Sequence, residues 1–254
     1  MKVVCIGAGR LADQLMPAMQ HAGCHILQVY NRNIDHAAAL ADQLVNSKAV
    51  SDFDDIDKDA HLYFLTVSDD AIKSIADKLV SHKITKGVIV HCSGMMGLDV
   101  IPAERKAVFY PLQTFSEHFD VDWTNTPIII TSLHNDIIAD LETLARKISL
   151  AVYIMSDEEK SQIHLAAVFA NNFSNHMLTL AEDICASSHI PFDILRPLIR
   201  TTIEKAMIHG PSGSQTGPAA RGDENTIEKH LQLLSEKPEL AEVYKVVTRS
   251  IRER

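Results

Sequence analysis

The stretch that decides the fold is Met1–Ala12, MKVVCIGAGRLA. Its first part, Lys2 to Ile6, is a short apolar run without polar alternation, which is typical of a strand buried on both faces of a parallel sheet. Its second part, Gly7 to Ala12, fits the pattern G-x-G-x-x-G/A, which joins such a strand to a helix. The sequence therefore predicts a strand, a tight turn and a helix N-terminus whose free N–H groups can bind phosphate.

The next strand distinguishes two kinds of dinucleotide. Cys24 to Tyr30, CHILQVY, predicts that strand, and it ends in Asn31-Arg32-Asn33. About 20 residues beyond the glycines, an acidic residue would bind the ribose 2′-hydroxyl of NAD, whereas a nearby arginine accommodates a 2′-phosphate. Arg32 stands where the acid is missing. By itself it could be a solvated loop arginine, but the order of strand, glycines, helix and strand favours binding, so we expect NADP(H) as the cofactor.

Length and composition exclude several classes of protein. With 254 residues, 46% of them hydrophobic, the chain can form one large domain or two ordinary ones. A net charge of −9 argues against a nucleic-acid partner, and no apolar run approaches membrane-spanning length. The four cysteines form no C-x-x-C pair, which is typical of reduced core residues, and no metal site is predicted. Because Met1 leads directly into the first strand, with no room for a signal peptide, we expect a cytoplasmic protein.

The remaining pattern predicts two domains. Further apolar runs predict an α/β domain over residues 1–155, a Rossmann fold with a doubly wound parallel sheet. Ser156 to Glu159 reads as a capping box that opens a long helix reaching about Ser187. No strand pattern follows, so residues 156–254 are predicted to form an all-helical domain for the substrate and for dimerisation.

Polar residues follow several strands of the predicted sheet. Thr66, Val67 and Ser68 lie at the carboxyl end of the predicted strand AHLYFLTV, residues 60–67, and we expect them beside the glycine turn. Ser93 and Gln113 follow the next two strands. A right-handed parallel sheet brings these strand ends to one edge, where ligands of open α/β sheets bind. Either Ser93 or Gln113 alone is more often simple turn chemistry, and their shared position favours a role in the cleft.

The long helix carries His164 and three asparagines in a mostly apolar sequence. At the α-helical period His164 shares a stripe with Asn171 and Asn175, beside a core stripe of apolar residues. Polar groups beside a buried face are costly unless they are hydrogen-bonded or line a cavity. A helix crossing or subunit contact would satisfy any single asparagine, whereas the cluster favours a substrate-facing role. His164 is the side chain best suited to give a proton near neutral pH.

The chain resembles the Rossmann-like NADP oxidoreductases that carry a helical C-terminal domain of unknown function. The resemblance covers nearly the whole chain and rests on the glycine turn with Asn31-Arg32, His91-Cys92-Ser93-Gly94, Tyr110-Pro111-Leu112-Gln113-Thr114-Phe115, the segment from His164 to Phe173, and Gly217-Pro218-Ala219-Ala220-Arg221-Gly222-Asp223. More distantly, the chain is similar to pyrroline-5-carboxylate reductase and ketopantoate reductase. The helical second domains of those enzymes usually form the dimer, so the resemblance implies a homodimer.

The resemblance also bears on single residues. It favours Asn172, eight residues after the histidine, whereas helix periodicity favours Asn171 and Asn175. Tyr110 stands where histidine is common in the family. We expect no helix position to carry the lysine used by ketopantoate and β-hydroxyacid enzymes, so neither of those mechanisms transfers intact.

These observations predict an oxidoreductase that transfers hydride between NADP(H) and a small C=O or C=N substrate, such as a keto or imino acid. The alternative is an NADP(H)-binding sensor or assembly subunit without turnover. Arg221 could clamp a substrate carboxylate, or it could pair with Asp223 to fix its own loop. The predicted cofactor contacts are Gly7, Ala8, Gly9, Arg10, Leu11, Asn31, Arg32, Thr66, Val67, Ser68 and Ser93. The predicted catalytic residues are His164, Asn172 and Ser93, and the predicted substrate contacts are Gln113, Asn175 and Arg221.

Overall fold

A computed structural model describes residues 1–84, 86–117 and 119–253. Within this part of the chain there are two compact units, residues 1–169 and 170–254. The sheet lies in the first unit and has eight strands in the order β3-β2-β1-β4-β5-β6-β7-β8. No helix of the described ranges is long and apolar enough to cross a membrane.

The glycine turn joins the first elements in the predicted order. Strand β1 covers Lys2–Ile6, helix α1 Arg10–His21, β2 His25–Tyr30, α2 Ile34–Ala41 and β3 Lys48–Val50. Strand β2 pairs with β1 and β3, in parallel on both sides. These elements confirm the predicted βαβαβ half, and α1 runs through Pro17 as one helix.

The second half adds the strands β4 Leu62–Leu65, β5 Val88–His91 and β6 Lys106–Pro111, with α3 Asp69–Ser81 between the first two. All three strands continue the parallel sheet from β1. The carboxyl ends of six parallel strands therefore meet at one edge, as the sequence predicts.

The last two strands depart from a purely parallel sheet. Strand β7, Ile128–Thr131, is antiparallel to β6, and β8, Val152–Ile154, follows helix α4, Asn135–Ala145, and is parallel to β7. A parallel pair needs a crossover, usually a helix, whereas the described residues between β6 and β7 form none. The chain therefore turns back along β6, a reversal that apolar runs do not reveal.

Both faces of the sheet are covered, as a doubly wound fold requires. Val3 and Cys5 of β1 pack on one face with helices α1, α2 and α4, and Val4 and Ile6 pack on the other with α3. This explains why β1 reads as an unbroken apolar run. The four cysteines are all buried and unpaired.

The chain from Asp157 onward is helical. Ser156 forms the predicted capping box, because its hydroxyl accepts the N–H of Glu159, whose carboxylate accepts the N–H of Ser156. The elements are α5 Asp157–Ala167, a π-helical segment Val168–Phe173, α6 Ser174–Ser187, α7 Arg196–His209, α8 Pro218–Arg221, α9 Glu224–Leu233 and α10 Pro238–Arg252. The change from strands to helices thus follows β8, while the compact units divide after Phe169. The domain limits 1–155 and 156–254 stay a prediction.

Candidate functional site

The glycine turn is shaped by close contact on one side and open space on the other. Gly7 has a φ of 106°, and a Cβ there would lie 2.5 Å from the carbonyl oxygen of Thr66. Gly9 is the N-cap of α1, and a Cβ there would meet no heavy atom within 4 Å. The first N–H groups of a helix have no partner within it. The turn therefore offers an open backbone surface that fits a phosphate.

The end of β4 holds this turn in place. The Thr66 hydroxyl donates to the carbonyl of Gly7 at 2.9 Å. Ser68 is the N-cap of α3, but its hydroxyl accepts no capping hydrogen bond. Val67 and Ser68 instead line a pocket beside the glycine turn.

That pocket has a volume of about 310 Å³ and runs from the glycine turn to the end of β2. It contains Asn31 and Arg32, as predicted for the site of a nucleotide. The Asn31 side chain accepts the N–H of Asn33. Arg32, between these two residues in the sequence, is exposed and lines the pocket. The other residues that line the pocket are Ile6, Gly7, Ala8, Gly9, Tyr30, Phe53, Thr66, Val67, Ser68, Ala71, Ser74, Ile75 and Lys78. The sequence analysis missed Phe53 and Lys78, because neither belongs to the glycine or arginine motif.

Two predicted cofactor contacts on α1 lie outside the lining of this pocket, as does Ser93 after β5. The Arg10 guanidinium is exposed and pairs with the Glu117 carboxylate at 3.4 Å. Leu11 is partly buried against the core under α1. Their predicted roles therefore depend on backbone N–H groups of the first helical turn, and they stay predictions.

Strand β5 ends in the buried His91, and hydrogen bonds close the turn that follows it. The Ser93 hydroxyl accepts the N–H groups of Met95 and Met96 at 3.1 and 3.0 Å, so its own proton remains available to a ligand. The N–H of Ser93 donates to Nδ1 of His91, and Nε2–H of His91 then donates to the carbonyl of Gly97. Burial lowers the pKa of His91 to about 4, so this histidine is neutral.

A tyrosine and a histidine meet beside this turn. The Tyr110 hydroxyl at the end of β6 lies 3.0 Å from Nδ1 of His164 on α5, and their rings are 5.8 Å apart in an edge-to-face arrangement. Gly94 permits this approach, since a Cβ there would lie 2.5 Å from Nδ1 of His164 and 2.6 Å from Cζ of Tyr110. Burial, helped by the negative charge of Asp69, raises the pKa of Tyr110 to about 12. The Tyr110 hydroxyl therefore keeps its proton and can donate a hydrogen bond to Nδ1 of His164.

The sequence analysis treated Tyr110 only as a departure from the family pattern. Its proximity to His164 joins residues 54 positions apart in the chain, which no local pattern reveals. The only sequence signal was its place at a strand end of the same sheet edge.

A buried lysine fastens this turn to α5. The Lys160 side chain is fully buried, and its ammonium donates to the carbonyls of Gly94 and Met96 at 3.1 and 2.6 Å. Burial lowers the pKa of Lys160, and the Asp157 carboxylate opposes that shift. Asp157 also accepts the N–H of Leu98 at 2.8 Å. Lys160 lies one helical turn before His164, so it fixes the turn after β5 against the helix that carries the histidine.

The helix after His164 does not keep the period assumed from the sequence. Residues Val168–Phe173 are π-helical, and a π turn takes about one residue more than an α turn. The α-helical period that joined His164 to Asn171 and Asn175 therefore does not hold across Val168–Phe173, and the choice among Asn171, Asn172 and Asn175 stays open. π-helical turns inside α-helices are frequent at functional sites.

The other predicted residues are exposed. The side-chain amide oxygen of Gln113 accepts the N–H of Thr114 at 2.8 Å. Asn172, Asn175 and Arg221 belong to the second compact unit. Arg221 forms no ion pair within the described residues, and the Asp223 side chain accepts the N–H of Thr226 to cap α9. The roles of these residues in substrate binding stay predictions.

A family profile described as a domain of unknown function (DUF2520) matches residues 126–251, and one described as shikimate/quinate 5-dehydrogenase matches residues 1–72. No curated protein matches the chain significantly.

Three solved structures are similar over nearly their full length. A putative NADP oxidoreductase from Bacteroides fragilis has 36% sequence identity and a TM-score of 0.90, covering 100% of this chain and 98% of that one. A protein from Thermotoga maritima has 22% identity and a TM-score of 0.76, with coverages of 99% and 97%. An imine reductase from Myxococcus stipitatus in complex with NADP⁺ has 13% identity and a TM-score of 0.72, with coverages of 100% and 93%, and shows a shared fold alone.

Proposed function

The chain belongs to the family of the Bacteroides fragilis protein, and on that premise we propose that it is an NADP(H)-dependent oxidoreductase. It transfers hydride between the nicotinamide and a small C=O or C=N substrate. The observation that carries this proposal is one sheet edge with a glycine turn and Arg32 at one end and the Tyr110–His164 pair at the other.

The residues at the first end fit the cofactor. The open space at Gly9 and the N–H groups of α1 would hold the pyrophosphate. Arg32 and Asn31 would hold the adenosine ribose with its 2′-phosphate, because a guanidinium binds phosphate through two parallel hydrogen bonds. Ser93, whose proton is available, would orient the nicotinamide end. When bound, the cofactor supplies or accepts the hydride.

Side chains of the protein supply the proton that the substrate needs. When a substrate carbon gains hydride, its heteroatom gains charge and needs a proton or donor within hydrogen-bond reach. Because the Tyr110 O–H donates to Nδ1 of His164, the imidazole carries its hydrogen on Nε2, and this is the proton we assign to the substrate. As that proton leaves Nε2, Nδ1 takes the Tyr110 proton, so no imidazolate forms, and solvent returns a proton to the tyrosine. Gly94 and Lys160 keep the pair in place. Asn172 would orient the substrate or the carboxamide of the cofactor, and Gln113, Asn175 and Arg221 remain our candidates for substrate contacts.

The test is a screen for turnover with purified protein. NADPH oxidation is followed at 340 nm, roughly the nicotinamide absorbance band, against keto acids, aldehydes and cyclic imines, with NADH in parallel. We expect turnover with NADPH and one of these classes. Tight NADPH binding without turnover of any class would instead support a sensor or assembly subunit.

We also propose a symmetric homodimer through the helical region. In the second unit few side chains are buried, whereas many large apolar side chains are exposed: Phe173, Met177, Leu178, Ile184, Ile190, Ile194, Leu198, Ile203, Met207, Ile208, Leu233, Val246 and Val247. Extended apolar surface of this kind marks association sites. Light scattering at micromolar concentration should give twice the chain mass of 28.1 kDa, and a monomeric mass would contradict the proposal. The unpaired cysteines support a reducing compartment such as the cytoplasm.

A further inference from the structure

A lysine on α3 lines the same pocket as Arg32. We propose that Lys78 is a second cation for the 2′-phosphate of NADP(H), so that Lys78 and Arg32 together set the preference over NAD(H). The inference rests on the proposed function and extends it, because the glycine and arginine motifs give no role to a residue near the end of α3.

One aromatic wall connects the two cations. The Lys78 ammonium lies 5.8 Å from the ring centroid of Phe53. The Phe53 ring meets the Tyr30 ring edge-to-face at 5.0 Å, and Tyr30 ends β2 two residues before Arg32. All four side chains line the pocket beside the glycine turn. Lys78 and Arg32 thus belong to one pocket rather than to two separate surfaces.

Both cations are available for a ligand. In the part of the chain that the structure describes, neither Arg32 nor Lys78 forms an ion pair. Lys73, on the same helix as Lys78, is by contrast held by the Asp77 carboxylate at 3.0 Å. Asp54, next to Phe53, has His82 as its partner at 3.1 Å. The pocket therefore holds two positive charges that have no ion-pair partner among the described residues, on a chain whose net charge is −9.

A single arginine would face an opposing charge here. Burial is the main cause that raises the pKa of Tyr30, but Asp52 raises it too, whereas Arg32 lowers it. Asp52 and Arg32 therefore act on the same place with opposite signs. A phosphate monoester carries up to about two negative charges at neutral pH. Lys78, whose ammonium lies over the Phe53 ring, adds a second positive charge to the same pocket and so restores the positive potential that such a group requires.

The competing role for Lys78 is contact with the adenine or with the pyrophosphate. Both groups are common to NADP(H) and NAD(H), so that role predicts equal losses of affinity for the two cofactors. A 2′-phosphate contact predicts a loss for NADP(H) alone. The two roles are therefore separated by comparing ligands that differ only in this phosphate.

The experiment is calorimetric titration of the full chain at fixed ionic strength with NADP⁺, NAD⁺, adenosine 2′,5′-bisphosphate and AMP. The variants are Lys78→Gln and, as a matched control, Lys73→Gln, which removes an exposed lysine of the same helix outside the pocket. We expect Lys78→Gln to weaken NADP⁺ and the bisphosphate about fivefold, the effect of one partly exposed ionic hydrogen bond. NAD⁺ and AMP should bind as to the wild type, and Lys73→Gln should change none of the four.

The outcomes separate this inference from the proposed function. Wild-type affinity of Lys78→Gln for NADP⁺, or an equal loss for NADP⁺ and NAD⁺, overturns the role of Lys78 while the proposed function stands. A wild-type protein that binds neither dinucleotide overturns the proposed function itself. Thermal unfolding of both variants checks that each keeps the wild-type fold, as expected for exposed positions of α3.

Discussion

The two ends of the sheet edge are built in different ways. The glycine-turn end, Gly7–Gly9 with Arg32, consists mainly of backbone and small residues around an open pocket. The histidine end, Ser93–Gly94 with Tyr110 and His164, consists of close-packed polar side chains that bond to one another and to buried backbone. The first arrangement is suited to binding a ligand and the second to holding a proton at a fixed atom. Variants should therefore separate affinity from turnover.

The largest separation is expected for His164. Replacing it with alanine removes the proton donor while the pocket at the glycine-turn end stays intact, so turnover should fall by roughly 10²–10⁴, the usual contribution of general acid catalysis. The NADPH affinity, measured by calorimetry, should be unchanged. The matched control is His25→Ala, which removes an exposed histidine at the start of β2, on the opposite edge. Full activity of His164→Ala would mean that the imidazole is structural and that the proton comes from another group or from water.

Two glycines allow stability and binding to be separated within one turn. Gly7→Ala places a Cβ 2.5 Å from the Thr66 carbonyl at a φ of 106°, and strain plus overpacking should lower the free energy of unfolding by roughly 4 kcal/mol. Gly9→Ala meets no protein atom, so we expect a stability loss of at most about 1 kcal/mol from the poorer N-cap.

The Gly9→Ala substitution, which costs little stability, should have a large effect on the NADPH affinity. The Cβ of the Gly9→Ala variant occupies the open space assigned to the pyrophosphate, and we expect its affinity to fall at least about tenfold. Urea denaturation and calorimetry measure the two quantities. If Gly9→Ala binds NADPH as well as the wild type, the phosphate does not lie against this turn.

The buried His91 should make the free energy of unfolding sensitive to acid. The pKa of His91 is about 4 in the folded protein against an ordinary value of 6.5, so the unfolded chain takes up the proton first. The contribution of His91 to stability is full above pH 6.5 and is lost as the pH falls toward 4, amounting to about 3 kcal/mol.

Denaturation at pH 7.5, 6, 5 and 4 measures this slope, roughly spanning the window between the two pKa values. Carboxylates also lose stability in acid, so the readout is the difference from His91→Gln. That variant should be less stable at neutral pH but should show a flatter dependence over the same range. Parallel slopes for the two proteins would contradict a neutral, buried His91.

The same contrast explains how far the sequence can be interpreted. Gly7, Gly9 and Arg32 line one pocket, and the sequence could place them together because a strand, a turn and a helix N-terminus are neighbours in the chain. Their role as a cofactor site stays a prediction. The Tyr110–His164 contact depends on how α5 packs against β6, which residue types alone do not specify. The phase of the long helix was misjudged because a π turn has no simple residue signature. Lys160 was missed because a lysine in a capping-box helix ordinarily reads as solvated.

The smallest and most specific effect belongs to Arg32. If its guanidinium binds the 2′-phosphate, the wild type should bind NADPH at least about tenfold more tightly than NADH, which corresponds to about 1.4 kcal/mol. Arg32→Ala should lose most of this preference through weaker NADPH binding, with NADH affinity and substrate turnover at saturating cofactor unchanged.

Arg10→Ala is the matched control, because Arg10 lies by the same turn but pairs with Glu117. Calorimetry that gives equal affinities on the wild type would contradict the assignment of NADP(H). A preference that survives in Arg32→Ala would instead transfer the main contact to another cation of the pocket, and Lys78 is the one that shares its aromatic wall.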